Sequence, residues 1–160
     1  MFLKNFLIII NVVAAVYFSP NGGCTDAIVN EINNAKAEIL VQAYSFTSKP
    51  IAEALVKAKK SGIKIEIILD KSNLSAKYSS ADFTAHMGLP TYIDSDHTIA
   101  HNKIIIIDGE TLITGSFNFS KAAEEHNAEN LLILKSKELA QTYIKNWNNH
   151  KLHSEQYKGR

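Results

Sequence analysis

Apolar and polar residues along the chain form segments that alternate between strand-like and helix-like patterns. Runs rich in β-branched residues predict strands at 38–44 and 63–69. Apolar residues that recur on one helical face predict helices at 26–37 and 50–60. Strands that alternate with helices favour an α/β fold, in which helices flank a mixed β-sheet.

The second half of the chain has shorter turns between its apolar segments, which favours hairpins over helical crossovers. Asp108-Gly109 separates two strand-like runs and is a strong signal for a tight hairpin turn. The other predicted elements are a weak helix at 78–87, a short strand at 89–93, a strand at 130–135 and a final helix at 136–150 capped by Ser136. The polar tail, 153–160, is predicted to be loose.

The candidate chemistry lies around that hairpin. His101 and Lys103 stand two residues apart just before the apolar run 104–107, so both side chains point to one face at the end of a buried strand. The returning strand brings Ser116 and Asn118 back towards the same end. An imidazole, an ammonium, a hydroxyl and an amide then converge on one small space. Such a set suits a phosphate group with a nucleophile beside it.

This spacing resembles a known signature. His101-x-Lys103, then Asp108 after four residues, then Gly115-Ser116-x-Asn118 after six more, matches the HKD motif of the phospholipase D superfamily. Further stretches that are similar to the small bacterial endonucleases of that superfamily are 18–20, 43–47 and 119–124. The resemblance covers nearly all of the chain after residue 15 and implies a phospholipase D-like α/β sandwich.

The resemblance also implies roles for residues of the motif. His101 would attack phosphorus in one subunit and protonate the leaving oxygen in the other, because imidazole exchanges its proton near neutral pH. Lys103 would neutralise the phosphate oxygens, and Asn118 would donate its side-chain amide to them. Ser116 would bind either the phosphate or the backbone of the motif itself.

Two acidic residues complete the candidate set. Glu129, at the start of the strand after the motif, would hold the second ring nitrogen of His101, as a glutamate does in the resembling nucleases. Asp108 belongs to the motif, but strand parity turns it away from His101 and favours a structural and supporting role in the hairpin turn. Glu124 and Glu125 are interpreted as ordinary surface charges.

The motif occurs once in this sequence, whereas enzymes of the resembling superfamily generally use two facing copies. A chain with one copy can complete the site by pairing with a second copy of itself, so the resemblance implies a homodimer with a shared active site. Lys103 and Asn118 from both subunits would stabilise the charge, so no metal and no cofactor are expected. The histidines outside the motif that lack the spacing of a metal site are His97, His126, His150 and His153. His97 lies where the chain departs from the resembling nucleases and has no assigned role.

Composition limits the remaining possibilities. The chain has 160 residues, which favours one domain, and a formal net charge of +1, so any attraction to nucleic acid must be local. Candidate contacts to a nucleic-acid backbone are Lys49, Lys71, Lys77 and Lys121. Cys24 is the single cysteine and cannot form an intrachain disulfide. It is interpreted as a small residue at a helix start, with an intermolecular disulfide as the alternative.

Residues 1–15 are typical of an export signal. Lys4 is the only charge, a short apolar run follows, and Val13-Ala14-Ala15 offers small residues for cleavage after Ala15. A retained anchor and a buried strand are the alternatives. Export predicts a periplasmic or secreted protein, with a nuclease domain at 16–160 and no stable membrane association after cleavage.

These features predict a phosphodiesterase that forms a covalent phosphohistidine intermediate. The leading hypothesis is a metal-independent, non-specific endonuclease that cleaves DNA, with RNA as a further substrate. Hydrolysis of a phospholipid such as cardiolipin by the same histidines is the alternative enzyme. A nucleic-acid-binding module with an inactive site is a third hypothesis, and the intact motif argues against it.

Overall fold

The alternating segments assemble into one mixed sheet of eight strands, which the computed structural model describes for residues 13–76 and 79–160. The strands are β1 (Val13–Ser19), β2 (Glu38–Ala43), β3 (Lys64–Asp70), β4 (Thr91–Asp94), β5 (Lys103–Ile107), β6 (Thr111–Gly115), β7 (Glu129–Lys135) and β8 (Glu155–Tyr157). Their order across the sheet is β1-β7-β6-β5-β2-β3-β4-β8. The motif hairpin therefore occupies the middle of the sheet, and the predicted α/β fold is confirmed.

Helices cover both faces of this sheet. They are α1 (Cys24–Asn33), α2 (Lys49–Lys60), α3 (Ala81–His86), α4 (Lys121–Glu125) and α5 (Lys137–His153), with a 3-10 turn at Lys71–Leu74. The predicted cap of the last helix is confirmed, since the Ser136 hydroxyl accepts the N–H of Leu139 at 3.3 Å. Cys24 begins α1 and is fully buried, which confirms its interpretation as a small residue at a helix start.

Strand direction follows the length of the connections, as the sequence predicts. β2, β3 and β4 are parallel because helical segments connect them, whereas β5, β6 and β7 are antiparallel. Asp108 and Gly109 have φ angles of 55° and 65°, the left-handed conformations that a tight hairpin requires at both central residues.

The two faces of the sheet bury separate apolar clusters. Ile105 and Ile107 face the layer that contains α1 and α2, whereas Ile104 and Ile106 face α5 and the buried Trp147. The continuous apolar run of β5 is thus explained by burial on both faces. This burial fixes the register of β5 and so fixes where His101 and Lys103 emerge.

The two ends of the chain bear on two predictions. The tail was expected to be loose, but Glu155–Tyr157 forms β8 and pairs antiparallel with β4, so that prediction is wrong. At the other end, β1 begins at Val13 and pairs with β7, which places the predicted cleavage site after Ala15 inside a strand. Cleavage itself stays a prediction, because residues 1–12 lie outside the described residues, as do Lys77 and Tyr78. Within the described part of the chain, no helix is long and apolar enough to cross a membrane.

Candidate active site

His101 and Lys103 lie where β5 begins, at one edge of the sheet. His101 is exposed, whereas Lys103 has only 6% of its surface accessible. The Lys103 Nζ donates a hydrogen bond to the backbone oxygen of His101 at 2.7 Å. The structure therefore places a buried ammonium directly beside the residue that carries the exposed imidazole.

Tyr44 is a site residue that the motif does not contain. Its ring centroid lies 4.6 Å from that of His101, and the Lys103 Nζ lies 5.0 Å from the same Tyr44 ring, within cation–π range. The Tyr44 N–H donates to the Asn102 oxygen at 2.8 Å, which ties the end of β2 to the loop before β5. The available sequence signal for Tyr44 was its position in the stretch 43–47.

Burial makes the charged form of Lys103 unfavourable. Desolvation lowers the pKa of its ammonium below the usual lysine value, and the negative charge of Glu129 opposes this shift. A charged lysine at this position is therefore costly to the fold, and an anionic ligand would stabilise it. That combination is typical of a site built to receive a phosphate.

The glycine and serine of the motif hold the end of β6 against β7. Gly115 has a φ of 151°, and a Cβ at this position would lie 2.2 Å from the backbone oxygen of Asn130. That oxygen accepts the N–H groups of Ser116 and Phe117, while the Ser116 Oγ accepts the Asn130 N–H at 3.1 Å. Of the two predicted roles for Ser116, the backbone contact is therefore present in the structure.

Asn118 carries an unpartnered polar atom. Among the residues that the structure describes, its buried Oδ1 has no hydrogen-bond partner. Phe117 and Phe119 on either side are fully buried and anchor the segment. The segment thus presents an acceptor oxygen that no described group satisfies, and the role predicted for Asn118 as a donor to phosphate stays a prediction.

Glu129 lies at the first position of β7, at the same edge of the sheet as His101, and its charge acts on Lys103. Its carboxylate accepts a hydrogen bond from the Asn127 side chain at 3.2 Å. Within the described ranges, no hydrogen bond joins Glu129 to His101. The role predicted for Glu129 as the support of the imidazole stays a prediction.

Asp108 lies at the far end of β5, roughly 20 Å along the chain from His101. Its carboxylate accepts the backbone N–H groups of Lys36, Ala37 and Glu38 at 2.8 to 3.0 Å. Burial alone would raise the pKa of Asp108, but these three donors outweigh it and lower the pKa. The structure places Asp108 in a structural role, away from the other motif side chains.

Two buried polar residues hold the loops around the site. Asp70 ends β3 and accepts the N–H of Ala100 at 2.7 Å, immediately before His101. The Asn73 side chain donates to the backbone oxygen of Tyr44 at 2.7 Å. Neither residue could be identified from a sequence motif, because each contacts a loop that is distant in sequence.

Glu124 differs from its interpretation as a plain surface charge. Its carboxylate accepts the N–H groups of Gly23 and Thr25 at 3.0 and 2.7 Å and so caps the start of α1. Burial would raise the pKa of Glu124, yet the hydrogen bonds lower it overall. The interpretation fails because the two partners are 99 and 101 residues away in sequence.

The expectation that the remaining histidines form no metal-binding group is also corrected. The structure gathers His97, His150 and His153 around the carboxylate of Asp94, while the exposed His126 lies beside Glu125. Spacing along the sequence could not predict this cluster, because β4 and the end of α5 meet only in the folded chain. The available signal was the pair of histidines three residues apart on one helical face.

The candidate nucleic-acid contacts are dispersed. Lys49 and Lys121 line one cleft of about 410 Å³, and each also pairs with a glutamate four residues later. Lys71 donates to the backbone oxygen of His97 at 2.7 Å, in the loop that leads to His101. Lys77 lies outside the described residues.

Comparison with known proteins identifies related sequences. Residues 28–151 match the family described as "Cardiolipin synthase, PLD-like domain". A protein named Phospholipase D from Rickettsia felis is 45% identical over 134 residues, which are 84% of this chain and 67% of that protein. The mitochondrial cardiolipin hydrolase of Homo sapiens is 26% identical over 110 residues, 69% of this chain and 44% of that protein. This chain thus spans about two thirds of the length of the Rickettsia relative.

Solved structures share the same arrangement of elements. The crystal structure of a phospholipase D family member, Nuc from Salmonella typhimurium, superposes with a TM-score of 0.89 at 35% identity, over 92% of this chain and 99% of that chain. NucT from Helicobacter pylori superposes with a TM-score of 0.85 at 23% identity, over 91% of this chain and 99% of that chain, and shows the same fold.

Proposed function

Because this chain belongs to the phospholipase D superfamily of phosphodiesterases, we propose that it is an endonuclease that hydrolyses DNA without a metal ion at the reacting phosphate. The observation that carries this proposal is the exposed His101 beside Lys103, a nearly buried lysine. An accessible imidazole supplies the nucleophile, and the adjacent ammonium stabilises the charge that develops on the phosphate oxygens.

The proposed reaction has two steps and uses a homodimer. In the first, a ring nitrogen of His101 bonds to phosphorus as the bond to the leaving oxygen breaks, and His101 of the partner subunit donates a proton to that oxygen. In the second, the now neutral His101 of the partner subunit takes a proton from water. The water oxygen then bonds to phosphorus as the nitrogen–phosphorus bond breaks, which regenerates both histidines.

Two features favour DNA as the substrate. The chain resembles small bacterial endonucleases in its motif and flanking stretches, and the Nuc structure superposes on it over 99% of the Nuc chain at 35% identity. His101 is exposed at the rim where the central strands end, and a polymer can lie across this surface. Lys71 is held against the loop that precedes His101. RNA presents the same phosphodiester and is the further substrate to test.

A second candidate is a phospholipid hydrolase, and the names of the matched family and relatives favour it. Its substrate would present the same phosphodiester from a membrane surface. The same histidines would attack phosphorus, so the chemistry of the site does not separate the two candidates. The substrate must therefore be tested directly.

The deciding experiment compares supercoiled plasmid and cardiolipin vesicles with the same enzyme preparation in excess EDTA. We expect nicking of the plasmid and no release of phosphatidic acid, with both absent in a His101→Ala control. Release of phosphatidic acid without nicking would establish the phospholipid hydrolase instead. Loss of nicking in EDTA that magnesium restores would contradict a metal-free reaction at the phosphate.

The export segment adds a proposal about location. We propose that the chain is cleaved after Ala15 and acts in the periplasm or outside the cell, with Val16 as its first residue. Mass spectrometry of a periplasmic fraction should then give the mass of residues 16–160. An intact Met1 in the membrane fraction would contradict cleavage.

A further inference from the structure

A group of metal-binding side chains lies outside the proposed active site, where β4 ends. The carboxylate of Asp94 has no accessible surface, and three imidazoles approach it. His150 Nδ1 lies 2.8 Å from Asp94 Oδ2, His97 Nδ1 lies 3.1 Å from each carboxylate oxygen, and His153 Nε2 lies 3.3 Å from Oδ2. These groups come from β4, from the loop after it and from the last turn of α5.

The spacing of the four groups fits one small ion. One ligand atom from each residue lies within 4.8 Å of the others. Four ligands at the usual zinc distance in a tetrahedron are about 3.4 Å apart. The three contacts of Asp94 with the imidazoles, at 2.8 to 3.3 Å, would lengthen slightly, and the widest separations would shorten by up to about 1.4 Å.

The separations of the three imidazole rings also fit a shared metal ion. The centroids of the His97, His150 and His153 rings are 4.8, 5.1 and 5.4 Å apart. Three imidazoles that bind one tetrahedral zinc ion place their centroids about 5 Å apart. The rings thus have nearly the separations of a metal site, rather than the face-to-face stacking of an apolar contact.

The carboxylate has the outer support that is usual for a metal ligand. Asp94 Oδ1 accepts the backbone N–H of Asp96 at 3.2 Å, whereas His150 and His153 contact Oδ2. The neighbouring Lys71 binds the backbone oxygen of His97 at 2.7 Å, so the loop is held on both sides of that ligand.

We propose that Asp94, His97, His150 and His153 bind one zinc-class divalent ion as a closed structural site. Three imidazole nitrogens and one carboxylate oxygen suit zinc and its neighbours in the transition series, whereas calcium and magnesium require oxygen ligands. The four residues complete a tetrahedron, so no open position remains for a reacting water. The ion does not take part in the phosphodiester reaction.

The site joins parts of the chain that are distant in sequence. Asp94 and His97 begin the loop that ends at His101, and Asp70 holds the same loop at Ala100. His150 and His153 bring the end of α5 to that loop, 56 and 59 residues later in the chain. Zinc therefore ties the start of this loop to α5, whereas the contact of Asp70 with Ala100, which needs no metal, holds the end that carries His101.

The test measures metal binding directly on the full chain. After removal of metal by a chelator and dialysis, we expect the wild-type protein to take up one zinc ion per chain by elemental analysis. We also expect zinc to raise its Tm by about 5 °C or more. Cobalt(II) in the same protein should give the intense visible bands of a four-coordinate site.

The matched variants are the double substitution His150→Ala with His153→Ala and the control His126→Ala, which removes an exposed histidine outside the cluster. Competition with a chromogenic chelator should show binding at least ~100-fold weaker in the double variant and unchanged in the control. If the double variant fails to fold, the cobalt spectrum and zinc content of the wild type decide. Absence of stoichiometric zinc, a six-coordinate cobalt spectrum, or equal affinity in the double variant and the control would overturn the proposal.

Discussion

Lys103 shows at the scale of one residue how a functional group can oppose stability. Its ammonium is nearly buried, donates to a backbone oxygen and lies over the face of Tyr44, and the charge of Glu129 only partly offsets the desolvation. Desolvation lowers its pKa, which means that the folded state disfavours the charge. We propose that ligand binding, rather than packing, accounts for such a lysine.

We expect Lys103→Met to abolish the proposed nuclease activity and to raise Tm by about 2–5 °C, because methionine fills the space without a buried charge. The wild type should gain stability as pH rises and Lys103 loses its proton, since the unfolded chain then binds more protons than the folded one. The advantage of the methionine variant should therefore shrink at alkaline pH. Thermal unfolding at several pH values measures both effects.

The control for that prediction is Lys145→Met, which removes an exposed lysine from α5. It should leave activity unchanged and shift Tm by less than about 1 °C. A lower Tm for Lys103→Met than for this control would show that Lys103 stabilises the fold.

At the scale of elements, the end of β6 depends on its close approach to β7. The backbone of Gly115 passes the Asn130 oxygen where a Cβ has no room. Ser116 then exchanges hydrogen bonds with the Asn130 backbone, and this contact orients the segment that ends at Asn118. The glycine of the motif thus acts through strand geometry.

We expect Gly115→Ala to lower stability by about 2–4 kcal/mol and to reduce kcat by more than tenfold, since the added methyl group displaces β6 from β7. The matched control is Gly62→Ala, where φ is also positive at 91° but nothing lies within 4 Å of the added Cβ. It should lower stability by about 1 kcal/mol and leave kcat unchanged. Chemical denaturation and steady-state kinetics compare the two variants, and equal loss of activity in both would contradict this explanation.

The tail offers a second prediction at this scale. Hydrogen bonds from Tyr157 and Arg160 lower the pKa of Asp82 to about 2, and they attach the end of the chain to α3. A carboxylate with a lowered pKa stabilises the fold above the pKa of the unfolded chain, near 4, and loses this effect as pH falls towards 2.

The difference in Tm between wild type and Asp82→Asn should therefore be positive at pH 6 and should shrink between pH 4 and pH 2. Tyr157→Phe removes the same hydrogen bond from the other side and should show the same pH window. Thermal scans across this range provide the measurement. A difference that does not change with pH would show that the Asp82 charge contributes nothing.

At the scale of the whole molecule, each chain has one His101, whereas the proposed reaction needs two such histidines. His101 lies at the rim where the central strands end. Phe18, which is 67% exposed, lies at the end of β1 on that same rim. Both features favour pairing of two chains with their sites together.

Random refolding of equal amounts of wild-type and His101→Ala chains tests this pairing. If the site is shared, only wild-type pairs are active, and activity should be about one quarter of that of an all-wild-type sample at equal total protein. Mixed dimers lack either the nucleophile or the proton donor. Activity near one half, or a monomer in sedimentation that still cleaves DNA, would show that each chain carries a complete site.

The sequence by itself determined the features that depend on near neighbours. Periodicity identified β2 to β7 and every helix except α4, Asp108-Gly109 identified the hairpin, and the spacing of the motif identified the family. Strand parity also separated Asp108 from His101. These signals act over a few residues, so they can be read without knowing which segments meet.

Only the tertiary structure decided the contacts between distant segments. The burial of Lys103 against Tyr44 depends on the register of β5 beside β2, and the pairing of β8 depends on where α5 ends. Asp94 meets His150 across 56 residues of chain for the same reason. No local pattern encodes such meetings, because they result from the packing of whole elements around a shared core.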